Sequence, residues 1–83
     1  MTYSPGPFGG ARAAVALRPF LSELGCLPVS KLACFPSPDS IFAEDGTVID
    51  PNSRLLRQLP AMLAQLEWFA IACKNQREAA GTP

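Results

Sequence analysis

Histidine is missing from this chain altogether, and that absence removes the imidazole on which serine–histidine and cysteine–histidine nucleophilic catalysis depend. Charge is sparse: seven basic and seven acidic residues cancel, and charged residues make up only 17% of the sequence. No cluster of Lys or Arg forms a stripe, so the electrostatic footprint of a nucleic-acid binder or an acidic-membrane binder is lacking. Cysteine is scarce too. Cys26, Cys34 and Cys73 are an odd set at wide spacing with no CxxC pair, which excludes a zinc-ligand set and predicts reduced, buried thiols. No apolar run approaches the roughly 20 residues of a membrane helix, and no basic residue precedes Arg12, unlike a signal peptide. A soluble, cytoplasmic protein is the expectation. Since the first acidic residue is Glu23, composition also leaves an organelle transit segment open.

What is present is hydrophobic: 48% of the 83 residues. A chain this short hides only about 60% of the surface its unfolded form exposes, so this composition suits a piece of a larger core better than a free-standing domain. The most informative stretch is Ser4 to Arg12, SPGPFGGAR, with three glycines and two prolines ahead of a helical pattern. Gly6, Gly9 and Gly10 can take positive φ and let another molecule lie against main-chain N–H groups, next to the positive end of a helix dipole. A flat or anionic ligand would suit such a surface. The same glycines also read as a simple chain reversal that caps the helix.

Ala11 to Leu24 reads as a helix, with Ala14, Leu17, Leu21 and Leu24 on one face, Gly10 at its start and Gly25 at the C′ position. Pro19 predicts a bend near Val15 to Pro19. Cys26 to Leu32 reads as a short strand, confined to a sheet edge by Pro28. Ala33 to Thr47 reads as a long loop anchored by Phe35, Ile41 and Phe42, with a turn at Glu44-Asp45-Gly46. Asp50-Pro51 is a helix start signal, and Leu55, Leu59, Met62, Leu63, Leu66, Phe69, Ala70 and Cys73 follow as a broad stripe of 3.6-residue period. Pro60 should kink or split that helix, and Ala79 to Pro83 should fray as a tail. A single strand has no ladder partner inside this chain, so something else must pair with it, and only Met1 to Ser4 could be the tail of a parallel strand ahead of the first helix. The pattern implies an α/β chain whose glycine loop sits at the carboxyl end of a strand in a doubly wound sheet.

TYSPGPFGGARAA, LRPFLSELGCLPVS, FAEDGTVID and LPAMLAQLEWFA together resemble the C-terminal half of an NAD(P)H-dependent FMN reductase of flavodoxin-like fold, over residues 1–78. The resemblance implies a flavoprotein that takes hydride from NAD(P)H onto FMN and passes electrons to a flavin, a quinone or a similar acceptor. It places Ser4, Gly6, Phe8, Gly9 and Gly10 on the loop bordering the isoalloxazine ring, and Arg12 near a subunit interface. Phe8 reads equally as a core plug, Arg12 as a helix-surface residue, and Trp68 as a core residue beside the stripe. The family's Gly-Ser-x-Arg-x-x-Ser phosphate turn and its Pro-Glu-Tyr-Asn loop have no counterpart among these residues. The resemblance therefore implies a homo-oligomer or a partner N-terminal half, with little activity in the 83 residues alone. The other reading is a non-catalytic helical interaction module or truncated pseudo-enzyme whose kinked helices bury their stripes against a partner.

Overall fold

The computed structural model describes residues 1–83. Two three-residue strands, β1 (Thr2–Ser4) and β2 (Cys34–Pro36), pair in parallel with Thr2 opposite Cys34 and Ser4 opposite Pro36. Parallel strands need a crossover, and the helix α1 (Ala11–Glu23) supplies it. The ladder is anchored by the Thr2 N–H donating to the Ala33 carbonyl at 2.9 Å and the Ser37 N–H donating to the Ser4 carbonyl at 2.8 Å. A single 3-10 turn at Pro38–Ser40 and the 27-residue helix α2 (Arg54–Ala80) complete an α/β chain. No helix is long and apolar enough to cross a membrane.

The strand expected at Cys26 to Leu32 lies instead at Cys34–Pro36, and its ladder partner is within the chain, at the Met1 to Ser4 segment. Residues 26–32 run without a ladder, and side chains bond to their backbone instead. Arg18 Nη2 donates to the Val29 carbonyl at 3.0 Å, and the Lys31 N–H donates to Gln65 Oε1 at 2.8 Å. The expected loop at Ala33 to Thr47 therefore contains β2, the 3-10 turn and an antiparallel bridge between Phe42 and Val48.

Helix α1 starts after Gly10 at φ 78° and ends on Gly25 at φ 80°. There the Gly25 N–H donates to the Ser22 carbonyl (3.0 Å) and the Cys26 N–H to the Leu21 carbonyl (2.9 Å), the paired bonds of a Schellman end. Pro19 stays inside α1, and Pro60 stays inside an unsplit α2. The start of α2 differs from expectation, since Ser53 is its N-cap. Asp50 instead turns the chain beforehand: its Oδ1 accepts from the Asn52 N–H at 3.1 Å and its carbonyl from the Ser53 N–H at 3.2 Å. Ala79 and Ala80 are helical, with the Gly81 N–H donating to the Arg77 carbonyl at 2.9 Å, and residues 81–83 lie beyond the helix.

The core is small. Ala33, Phe35, Ile41 and Met62 are buried together, with Phe42, Leu55, Leu56 and Leu59 packed against them. Phe35, Ile41 and Phe42 are thus the anchors expected of that segment, the two rings 6.1 Å apart. The apolar stripe of α2 is fully buried only at Met62; Leu63 and Leu66 lie about half exposed, and Phe69 and Cys73 are partly covered. The radius of gyration is 15.6 Å, against about 12 Å for a compact chain of this length, and the longest extent is 46 Å, with the 27 residues of α2 alone about 40 Å long.

Candidate functional site

The Ser4 to Arg12 loop leaves the carboxyl end of β1, and Ser37 leaves the adjacent end of β2. Ser37 stitches the two exits together, its N–H donating to the Ser4 carbonyl and its Oγ to the Pro5 carbonyl at 3.0 Å. It does so at φ 44°, the one non-glycine residue in the left-handed region. Ser4 Oγ donates weakly to the Gly6 carbonyl at 3.4 Å. The loop then tightens through the Gly9 N–H to the Gly6 carbonyl (3.3 Å) and the Ala11 N–H to the Phe8 carbonyl (2.9 Å). The N–H groups of Gly6 and Phe8 donate to no backbone carbonyl, and Phe8 is exposed.

Gly9 and Gly10 take the positive φ that the sequence allows, and Gly6 does not. Gly9 is buried at φ 55°, and a Cβ there would lie 2.7 Å from the Phe35 N and C atoms and the Pro36 N. At Gly10, φ 78°, a Cβ would meet Thr2 Cβ at 3.0 Å and the Tyr3 carbonyl oxygen at 3.2 Å. Both missing side chains point into the molecule and let the loop lie on the sheet; neither direction is toward an outside ligand. Thr2 completes this contact, its Oγ1 donating to the Gly9 carbonyl at 2.9 Å and lying 3.4 Å from Cys34 Sγ. Thr2, Ser37 and Phe35 are the residues that sequence reasoning missed as loop supports. A serine flanked by Pro36 and Pro38 was the one available sign of a special turn.

Arg12 holds its guanidinium carbon 4.7 Å from the centre of the Phe8 ring, a cation–π contact between two exposed side chains. Phe8 is therefore not a core plug. Trp68 is not in the core either: it is 66% exposed on α2 and meets Phe69 edge-on at 4.9 Å. The cysteines are free, but Cys26 is exposed and Cys34 and Cys73 are half-buried, so the expected burial does not hold. No three Cys, Asp or Glu residues are grouped to hold a metal ion. Asp45 has its carboxyl held below the ordinary 3.8 by hydrogen bonds from the Thr47 side chain and then the Thr47 N–H.

Next to the loop, Tyr3 and Phe35 stand opposite one another in the ladder. With Met1, Pro38, Phe42 and Leu59 they line an apolar hollow of about 500 Å³. The arrangement defines an α/β chain built on one parallel strand–helix–strand unit with a glycine-rich turn at its carboxyl end. Comparison with protein-family models, with curated proteins and with solved structures gives no match.

Proposed function

We propose that this chain is the C-terminal part of a flavodoxin-like, FMN-dependent NAD(P)H oxidoreductase domain, in which Ser4 to Gly10 form one rim of the flavin site. One observation carries the reading: a glycine-rich loop leaves the carboxyl end of a parallel strand, enters a helix, and keeps the Gly6 and Phe8 N–H groups free of backbone acceptors. Ligands of parallel sheets bind at that end of the strands. Two unpaired donors beside an exposed ring suit the edge of a planar heterocycle. The phosphate of FMN finds no comparable cradle, since the nearest cation of the loop, Arg12, is stacked on Phe8. Bound FMN would supply the hydride chemistry, taking it from NAD(P)H and passing electrons to a flavin or quinone acceptor. The protein's own part is to orient the ring with Gly6 and Phe8, with Gly9 and Gly10 pinning the loop to the sheet behind them. Ser4 would support the turn through Gly6, and Arg12 would fix the Phe8 ring or reach a subunit interface. The remaining contacts would come from a second copy or an N-terminal half, and a cytoplasmic location accords with this chemistry.

Binding to the 83 residues alone should be no tighter than millimolar, about −4 kcal/mol. Flavin fluorescence and amide chemical shifts, followed during titration with FMN, test this. The reading expects weak saturation with shifts at Gly6 and Phe8. Micromolar affinity would contradict the partial site, and unmoved Gly6 and Phe8 amides at saturating flavin would refute the flavin reading.

A second reading, a helical interaction module, is favoured by the apolar residues left outside the core, with Leu24 78%, Phe20 68% and Trp68 66% exposed. It expects no flavin response at all, together with a partner-dependent change in Trp68 emission.

A further inference from the structure

Residues 26–33 run along α2 in the opposite direction to it. Leu32 shares a hollow with Met62, and one turn further along the helix Gln65 binds both the Lys31 N–H (2.8 Å) and Ser30 Oγ (3.0 Å). At the far end of the segment, Gly25 faces Cys73, Gln76 and Arg77 across a cleft of about 540 Å³. As the segment number falls from 32 to 25, the facing helix number rises from 62 to 76. The lengths agree. Five extended residues from Lys31 back to Cys26 span at most about 17 Å, and eight helical residues from Gln65 to Cys73 rise about 12 Å. Cys26 follows Gly25 directly, its Cα about 3.8 Å from that of a residue lining the cleft. Both thiols are free, with Cys26 exposed and Cys73 half-buried. Cys34 lies on the sheet beside Thr2, away from this cleft.

We propose that Cys26 and Cys73 form a reversible disulfide that staples residues 26–33 to α2. This inference does not depend on the flavin reading. A disulfide requires the two Cα atoms to be about 4.4–6.8 Å apart, a distance to be reached by closing the cleft about the one backbone bond that holds Cys26, its N–H to the Leu21 carbonyl at 2.9 Å. The oxidant is a low-molecular-weight disulfide. The exposed Cys26 thiolate attacks one of its sulfurs, that S–S bond breaks, and one reagent thiol leaves. The Cys73 thiolate then attacks Cys26 Sγ in the mixed disulfide, the new protein S–S bond forms, and the second reagent thiol leaves. In sum, the two protein thiols lose two electrons and two protons, and the reagent gains both.

Treating the dilute chain with oxidised glutathione, alkylating the thiols that remain and measuring intact mass and peptide maps tests the proposal. The expected product is a monomer two hydrogens lighter before alkylation, which then takes one alkyl group, at Cys34, and yields a Cys26–Cys73 cross-linked peptide. Cys34→Ser should still form the link, whereas Cys73→Ser should stop at a glutathione adduct on Cys26. A stable adduct at Cys26 beside an alkylated Cys73, or a Cys26–Cys34 link, would overturn it. So would equal Cys26–Cys73 yield in strong denaturant, since the fold would then not be what pairs them.

Discussion

Gly9 and Gly6 occupy the same loop, yet their substitutions should have opposite consequences. Gly9 combines φ 55° with backbone atoms 2.7 Å from any Cβ, whereas at Gly6 the nearest atom to a Cβ is Ser4 Oγ at 3.8 Å. Gly9→Ala should therefore cost at least about 1–3 kcal/mol from backbone strain, with the overlap adding to it. Gly6→Ala should change stability by less than about 0.5 kcal/mol. Chemical denaturation of the two variants checks this, and equal midpoints would contradict the close approach of loop and sheet. Asp45 offers a pH test at the same scale. Its folded pKa lies below 3.8, so its bonds to Thr47 are present at and above that pH and are lost as pH falls through the lower folded value. The Thr47 amide shift, followed by acid titration, should move with the Asp45 carboxyl and stay flat in Asp45→Asn.

At the scale of elements, α2 carries its own weak point. Pro60 has no N–H to offer the Leu56 carbonyl, yet the helix runs unbroken through it. Since proline inside a helix costs up to about 3 kcal/mol relative to alanine, the exposed Pro60→Ala should raise stability by about 1–3 kcal/mol. A higher midpoint with unchanged helical signal is the expected result. The docking of residues 26–33 on α2 rests on Gln65, which accepts from the Lys31 N–H at 2.8 Å. Gln65→Leu should cost about 0.5–1.5 kcal/mol and speed hydrogen exchange of the Lys31 amide. Protection at Lys31 equal to that of the parent would show that another contact holds the segment.

For the molecule as a whole, a core of four buried apolar residues is set against many exposed ones, among them Phe20, Leu24, Leu27, Leu63, Leu66 and Trp68. A core this small yields little net stability against chain entropy. The remaining apolar surface should be covered by association. Sedimentation should therefore show a mass that grows with concentration, with Trp68 emission shifting to the blue in parallel. A well-folded monomer with a sharp melt across the same range would contradict this.

Elements whose signals are local were legible from the residues alone. Glycine at both ends placed α1 to within a residue, because positive φ at Gly10 and Gly25 is a property of the backbone itself. The 3.6-residue stripe likewise announced α2, though capping moved its start from Asp50 to Ser53. The connection rule for a strand after a helix marked Met1 to Ser4 as the tail of a parallel strand, but that the two pair within this chain emerged only from the structure. Tertiary structure decided what local signals could not. It moved the second strand from Cys26–Leu32 to Cys34–Pro36, because the ladder to Thr2, the hydrogen bond donated by Arg18 and the one accepted by Gln65 outweigh β-propensity in a segment interrupted by Pro28. It also assigned the direction of each missing Cβ at Gly9 and Gly10, toward the sheet. Positive φ can be foreseen from a glycine, but which atoms lie beyond it depends on where two strands distant in sequence come together.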